Sequence, residues 1–410
     1  MNAMSTIQRN HISDSRLTEP VTPQGRALLD LISPHLPQIR AGAADNDRNG
    51  TFPVESFEAL REDGVLGATV PTELGGLGVQ CVHDVALALL HVAQADGSTA
   101  LALHMQLSRA LTLTYDWAYG PPATRALAGR LLKSMGSGEA VVPTGVKDIP
   151  RNGVRTVLTP DGAGGWLLSG GKTLVSLAPM GTDFVVFAVM EGDEKPARQA
   201  AAVLPRETPG FTVLDNWDGL GMRASGSVDI VFDNCRVPGD SVFHRGPIGQ
   251  QDVAALAGMT VSSINMLGIY TGLVQAARDI AVETVARRGS PPAGVSTLVA
   301  EIDARLFAVR STAAAALAAV DRLLFDVGGD MAERGRRMMT PFQHAKLVVN
   351  RLGPEIVNDC LVLVGGASYS ARHPLARLYR DVRAFAFMHP FTYANAVDYL
   401  SGQAFGRDLF

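Results

Sequence analysis

Residues 365–383 read Gly-Gly-Ala-Ser-Tyr-Ser-Ala-Arg-His-Pro-Leu-Ala-Arg-Leu-Tyr-Arg-Asp-Val-Arg, a glycine pair set before a helix that carries Arg377, Arg380 and Arg383. Backbone that approaches a phosphate closely needs residues without Cβ, and helix amides and guanidinium groups supply the complementary charge. Gly365 and Gly366 are therefore candidates for the phosphate side of a ligand, against the alternative of a glycine pair that only ends a helix. The segment runs on into Phe387, Met388, His389, Pro390, Phe391 and Tyr393, which sets one histidine among apolar and aromatic side chains.

Outward from this block the helical period reaches back to about Gln250, with Ala/Leu/Val-rich segments near Val253 to Arg288, Thr297 to Val327 and Phe342 to Val364, and forward from Pro374 to Leu400. Helices this apolar must pack on one another or on a second subunit, and a C-terminal four-helix bundle over residues 246–410 is expected. Between Glu139 and Phe243 the composition turns to Val, Thr, Phe, Gly and Pro in short apolar runs, the habit of antiparallel strands joined by tight turns such as Pro160-Asp161-Gly162 and Gly170-Gly171. This β domain is placed over residues 136–245. Residues 22–135 read as helical. Pro53 opens a run with Val54, Phe57 and Leu60 on one face and Gly64 at its stop; Val82 to Ala95 follows, and a segment from Ser98 runs toward Tyr119 before Pro121-Pro122. Helix block, strand block, helix block makes an α+β protein with segregated layers.

Bulk composition excludes several classes. A chain of 410 residues with 47% hydrophobic content holds two or three subdomains around substantial cores. With 36 Lys+Arg against 40 Asp+Glu it has no need of the broad basic face of a nucleic-acid binder. Cys81, Cys235 and Cys360 lie far apart without a CxxC pair, which argues against disulfides and thiolate zinc and for a cytoplasmic protein. The nine histidines form none of the close pairs with carboxylates or cysteines that a metal site requires, so no metal is expected. Neither a signal peptide nor an uninterrupted apolar span of membrane length is evident. Gly170-Gly171-Lys172-Thr173 is not a phosphate loop, because Trp166 stands where that motif needs glycine and β-type residues follow. No Gly-x-Gly-x-x-Gly opens a helix after a strand, so a Rossmann site has no support.

The glycine-arginine block resembles the last sequence block of the acyl-CoA dehydrogenase family, and the resemblance covers nearly the whole chain. Pro71 to Gly78 is similar to the family's Pro-x-x-x-Gly-Gly-x-Gly loop. Gly221-Met222-Arg223-Ala224-Ser225-Gly226-Ser227, with Val231 to Pro238 after it, is similar to the Gly-Met-Arg-x-Ser-Gly segment and its following strand. Gly165-Trp166 to Lys172 is similar to the strand-turn-strand leading to the flavin. The resemblance implies FAD or FMN, met by Pro143, Thr144 and Gly145 on one strand segment and by Val175 and Ser176 after Lys172. It also implies that Arg288 reaches the flavin pyrophosphate across an interface, that Gly365 and Gly366 lie on the phosphate side, and that the chain assembles as a homotetramer.

What the resemblance implies for chemistry is divided. Where the family runs Tyr-Glu-Gly-Thr this chain has Met388-His389-Pro390-Phe391, and at the alternative position of the glutamate it has Ser262; both lack the carboxylate that removes the proton beside a thioester carbonyl. His389 is the candidate for that place, since an imidazole titrates near neutrality. A branch of the same fold, the monooxygenases fed with reduced flavin by a separate reductase, needs water exclusion and a hydrogen-bond donor instead of a strong base. Phe387, Met388, Phe391 and Tyr393 would suit its pocket, and a small apolar or aromatic substrate is expected. A divergent dehydrogenase with His389 as base is one alternative, which a carboxylate such as Asp96 or Glu139 found facing the flavin would favour; a non-catalytic flavin-fold subunit is the other.

Overall fold

The structure, a computed structural model, describes residues 16–149, 155–192, 196–248 and 255–407. Among the described residues six α-helices come first: α1 (Pro23–Ile32), α2 (Leu36–Asn49), α3 (Val54–Glu62), α4 (Val82–Ala95), α5 (Gly97–Tyr119) and α6 (Pro122–Gly136). The run expected from Val82 to Ala95 has those bounds. Asp96 then breaks the helix in extended conformation and caps α5 by accepting from Thr99 N at 2.8 Å.

Nine strands follow in one sheet: β1 (Thr144–Gly145), β2 (Lys147–Asp148), β3 (Val157–Pro160), β4 (Trp166–Val175), β5 (Asp183–Met190), β6 (Arg198–Pro205), β7 (Phe211–Val213), β8 (Val228–Val237) and β9 (Val242–Pro247), in the order β7-β8-β4-β3-β5-β6-β9, with β1 beside β5 and β2 beside β4. The hairpin expected around Pro160-Asp161-Gly162 joins β3 to β4. Two features differ from the expectation of simple hairpins. Both β1 and β3 run parallel to β5, and parallel neighbours need long connections that leave no turn signal. Gly170-Gly171 is not a turn either: β4 runs straight through it, bulged against β8, with Gly170 at φ +126 and its would-be Cβ 2.7 Å from Thr156 Cα. Only glycine satisfies both demands.

The helices after the sheet are α7 (Ala255–Val261), α8 (Met266–Ala286), α9 (Ala293–Asp321), α10 (Met331–Val364), α11 (Pro374–Asp381) and α12 (Tyr393–Ala404). Residues 255–286 have the length and hydropathy to cross a membrane, but 83% of their most apolar window is buried inside the fold, so this stretch is core. There α8 lies against α4 with almost no gap: a Cβ on Gly268 would sit 1.8 Å from Ala86 O, and one on Gly272 2.4 Å from Leu90 O. α10 starts well before Phe342 because Asp330 accepts from Ala332 N at 2.8 Å and caps it. The continuous helix expected from Pro374 to Leu400 is broken. α11 gives way to a 3₁₀ segment (Val382–Phe387), His389-Pro390 forms a turn with a cis peptide bond, and Thr392 caps a new helix; proline has no N–H to continue a helix and pushes the residue before it out of the α region.

Candidate active site

The strand-side candidates lie at β1 and at the end of β4. Thr144 and Gly145 pair with Val185 and Val186, and Pro143 O accepts from Val185 N at 3.1 Å. A Cβ on Gly145 would lie 2.9 Å from Lys172 Cγ, so the lysine stem fills the space left by the missing side chain. Lys172 itself donates to Asp148 Oδ1 at 2.6 Å and Val146 O at 3.2 Å, a tie between β4 and β2 with no phosphate-loop character. At the end of β4, Val175 is fully buried and Ser176 Oγ lies 2.7 Å from Ser227 Oγ, which lies 2.7 Å from Ser225 Oγ.

Arg109, from α5, was not expected here. It donates from Nε at 2.9 Å and from Nη2 at 2.7 Å to Thr144 Oγ1, and from Nη1 at 3.0 Å to Thr112 Oγ1. Burial, helped by Arg245 and opposed by Asp116, lowers its pKa to about 10, which leaves it charged at neutral pH. Because the Thr144 oxygen already receives guanidinium protons, its own hydroxyl proton must point to another acceptor. The signal in the sequence is that Arg109 is the one charge between Gly97 and Tyr115.

A second group assembles where α8 and α10 end. Arg288 donates from Nη2 to Val364 O at 2.6 Å and from Nη1 to Leu363 O at 3.4 Å, which satisfies the last carbonyls of α10 directly before the glycine pair. Gly365 has φ +78, and no atom lies within 4 Å of a Cβ built on Gly365 or Gly366. Tyr369, just beyond, is 93% exposed. Arg377 and Arg380 of α11 and Arg383 of the 3₁₀ segment make contacts inside the protein, while Nε and Nη1 of Arg377 are buried without a hydrogen-bond partner among the described residues. Arg380 binds Asp47 through both terminal nitrogens, Arg377 lies 3.6 Å from Asp96 and donates to Ala95 O, and Arg383 donates to Tyr379 O.

His389 reaches solvent, yet the protein packed round it strips much of its hydration. That burial lowers its pKa, and the charges of Lys346 and Lys147 lower it further; the imidazole is neutral at neutral pH. Lys147 belongs to β2, two residues past Gly145. The turn is held from behind by Lys346 of α10. Fully buried, Lys346 donates to Met388 O at 2.5 Å and to Phe391 O, lies 5.2 Å from the centre of the Phe385 ring, and has its pKa brought down to about 7 by burial. Sequence reasoning missed it, although a lysine between Phe342, Ala345 and Val349 on an apolar helix face is a visible irregularity.

Of the residues expected to line a pocket, Phe387 is 76% exposed, Met388 is half-buried and Tyr393 is exposed. Phe391 packs in the core against Tyr399, with ring centres 5.3 Å apart. Asp96 is spent as the α5 cap, Glu139 is exposed, and Ser262 Oγ bonds back to Met259 O at 2.9 Å. The possible ligand atoms of Cys81, His83 and Asp84 lie within 4.8 Å of one another, a grouping that the expectation of no metal had passed over. Asp84 there accepts from Val21 N, Thr22 N and Thr22 Oγ1, Asp321 accepts from Cys81 Sγ, Val82 N and His83 N, and burial raises the thiol pKa, which keeps it protonated.

These residues fit a flavin. The hydroxyls of Thr144 on β1 and Ser176 just past β4, with Gly145, suit a planar polar ring, and the open glycine pair suits a phosphate. The acyl-CoA dehydrogenase N-terminal, middle and C-terminal domains match residues 37–139, 143–235 and 254–389. The chain belongs to the acyl-CoA dehydrogenase family. It is 57% identical over 406 residues to L-evernosamine nitrososynthase of Micromonospora sp., covering 99% of this chain and 96% of the relative. With amino sugar nitrososynthase DnmZ of Streptomyces peucetius it shares 58% over 396 residues, 97% of each chain. Among solved structures, KijD3 in complex with FMN and dTDP-3-amino-2,3,6-trideoxy-4-keto-3-methyl-D-glucose superposes with a TM-score of 0.95 at 61% identity, covering 97% of this chain and 98% of that one. FMN-bound TdsC from Paenibacillus, at 21% identity and a TM-score of 0.82, shares the fold. Within the acyl-CoA dehydrogenase family this protein is a flavin-dependent oxidoreductase. The expected apolar or aromatic substrate is corrected: the relatives at this level of identity are named for amino sugars.

Proposed function

We propose that this protein is an N-oxygenase that converts the amino group of a nucleotide-linked amino sugar into a nitroso group. In this reading it works as a homotetramer and draws reduced flavin from a separate reductase. The observation that carries the reading is the 61% identity, across nearly the whole chain, to KijD3 holding FMN and a dTDP-amino sugar. An imidazole at position 389 agrees with it, because oxidation at nitrogen does not require a carboxylate to abstract a proton from carbon. The exposed Val362 and Tyr369 beside Arg288 and Gly365 support cover by a second subunit.

Reduced flavin, when bound, supplies the two electrons that let dioxygen deliver one oxygen atom and leave as water. Each such oxygenation consumes one dioxygen, two electrons and two protons: the amine becomes a hydroxylamine, and a second round with loss of water leaves the nitroso group. Nitrogen reacts through its lone pair, so the ammonium form of the sugar must first lose a proton. His389, kept neutral by its surroundings, is the ring that would accept that proton. The charges of Lys346 and Lys147 disfavour any cation beside them, so they favour the neutral amine and also keep His389 from retaining the proton. Lys346 also fixes the turn, and Thr144 presents a hydroxyl proton.

The test combines purified protein, a flavin reductase, NADH, FMN and a dTDP-3-amino sugar, read by product mass and oxygen uptake. The expected product has gained one oxygen and lost two hydrogens. Bleaching of bound flavin by an acyl-CoA without any amine oxidation would instead establish the dehydrogenase, and absence of both reactions the non-catalytic subunit. His389→Gln should lower kcat by about 10²-fold or more, the usual worth of a positioned base, while FMN affinity stays the same. A full rate in that variant removes His389 from the mechanism.

A further inference from the structure

The hydroxyls of Ser176, Ser227 and Ser225 form a row whose protons can be ordered. Ser225 Oγ is 2.7 Å from Met222 O, a carbonyl that can only accept, so the one proton of Ser225 is committed there. The 2.7 Å contact between Ser225 and Ser227 must then be donated by Ser227, and the 2.7 Å contact between Ser227 and Ser176 by Ser176. Every proton in the row points inward. Its inner end is firmly seated, because Met222 O also accepts from Trp217 Nε1 at 2.9 Å and Met222 N donates to Asp381 Oδ1 at 2.6 Å. All three serines are buried, so no bulk water resets the order. Ser176 is left with lone pairs alone.

We infer that Ser225 and Ser227 are positioning residues that hold Ser176 as a hydrogen-bond acceptor toward the flavin and so bias the site toward the reduced cofactor. The inference rests on the flavin reading of Ser176. Two-electron reduction protonates a ring nitrogen that in the oxidised ring offers only a lone pair. An acceptor aimed at that nitrogen opposes the oxidised ring and binds the reduced one. Thr144 has the opposite polarity: Arg109 turns its hydroxyl into a donor, which suits the ring carbonyls present in both redox states. One hydroxyl therefore senses reduction and the other does not.

The experiment measures the Kd of oxidised FMN by fluorescence titration of the apoprotein and that of reduced FMN under anaerobic conditions, together with the potential of the bound couple. Wild type should hold reduced FMN about ten-fold more tightly, the scale of one hydrogen bond, which places the bound two-electron couple about 30 mV above free FMN. In Ser225→Ala the proton of Ser227 is released, Ser176 is free to donate outward, and the preference should fall to near parity. Ser227→Ala should do the same. Equal wild-type affinity for the two redox states, or an undiminished preference in either variant, overturns the inference. Failure of wild type to bind FMN in both states refutes the flavin reading itself, and the wild-type ratio decides the matter should a variant fail to fold.

Discussion

Replacing Lys346 by methionine keeps the length of the side chain while removing its charge and its two hydrogen bonds to Met388 O and Phe391 O. Two opposing effects follow. The abandoned carbonyls cost about 1–3 kcal/mol each. Against this, burial lowers the lysine pKa from 10.5 to about 7, so wild type carries a penalty of about 4 kcal/mol at neutral pH that the variant escapes. The two nearly offset at neutral pH, but only one depends on pH. Between about 7 and 10.5 the unfolded chain binds a proton at this lysine that the folded chain does not, so wild-type stability rises with pH across that window. Wild type should therefore gain on Lys346→Met by about 1.4 kcal/mol per pH unit from neutrality to about pH 10. Urea midpoints of both proteins at matched concentration along that range measure it. Midpoints that shift in parallel would refute the account of Lys346 as a buried titrating group. The variant should also lose activity without losing FMN, because the turn that carries His389 is no longer held.

Gly268→Ala puts a methyl group 1.8 Å from Ala86 O, and since that neighbour is backbone, α8 and α4 must separate. A loss of about 3 kcal/mol or more is expected, visible as a large fall in the urea midpoint, and a midpoint within error of wild type would show that the helices part freely. Asp381 is buried with its pKa raised to about 7, mainly by burial. The folded state thus binds the extra proton between about 4 and 7, and wild type loses stability as pH rises through that window. Asp381→Asn keeps an acceptor for Met222 N, so its thermal midpoint should improve relative to wild type from pH about 4 to about 7; a constant difference would rule out Asp381 as the titrating group.

Much of the architecture was readable because its signals are local. The spacing of Val85, Leu89 and Val92 and the break at Asp96 delimit α4, and turn residues mark the β3–β4 hairpin. What failed was non-local. The parallel partners of β5 lie far along the chain, and Gly170-Gly171 looks like a turn until Thr156 is seen pressed against it. At the candidate site, family resemblance proposes Thr144, Ser176, Arg288 and Gly365, but the groups that contact them could not be read from the sequence. Arg109 lies on another helix from Thr144, Lys346 lies a helix away from His389, and the serine row needs Ser176 and Ser225 brought together from two strand ends. The internal partners of Arg377 and Arg380, Asp96 and Asp47, were hidden for the same reason: they come from the first domain.

One consequence concerns the order of synthesis. Arg380 ties Asp47 and Leu220 O, and Asp381 ties Met222 N, so early helices, the sheet and the last quarter of the chain converge on neighbouring residues. While the ribosome is still upstream of codon 381, the loop bearing Ser225 and Ser227 is held by Asp47, Ser98, Trp217 and Leu177 but lacks the tie from Met222 N to Asp381. A truncated or nascent chain would thus carry a serine row whose inner end is less firmly seated until the final helices are made.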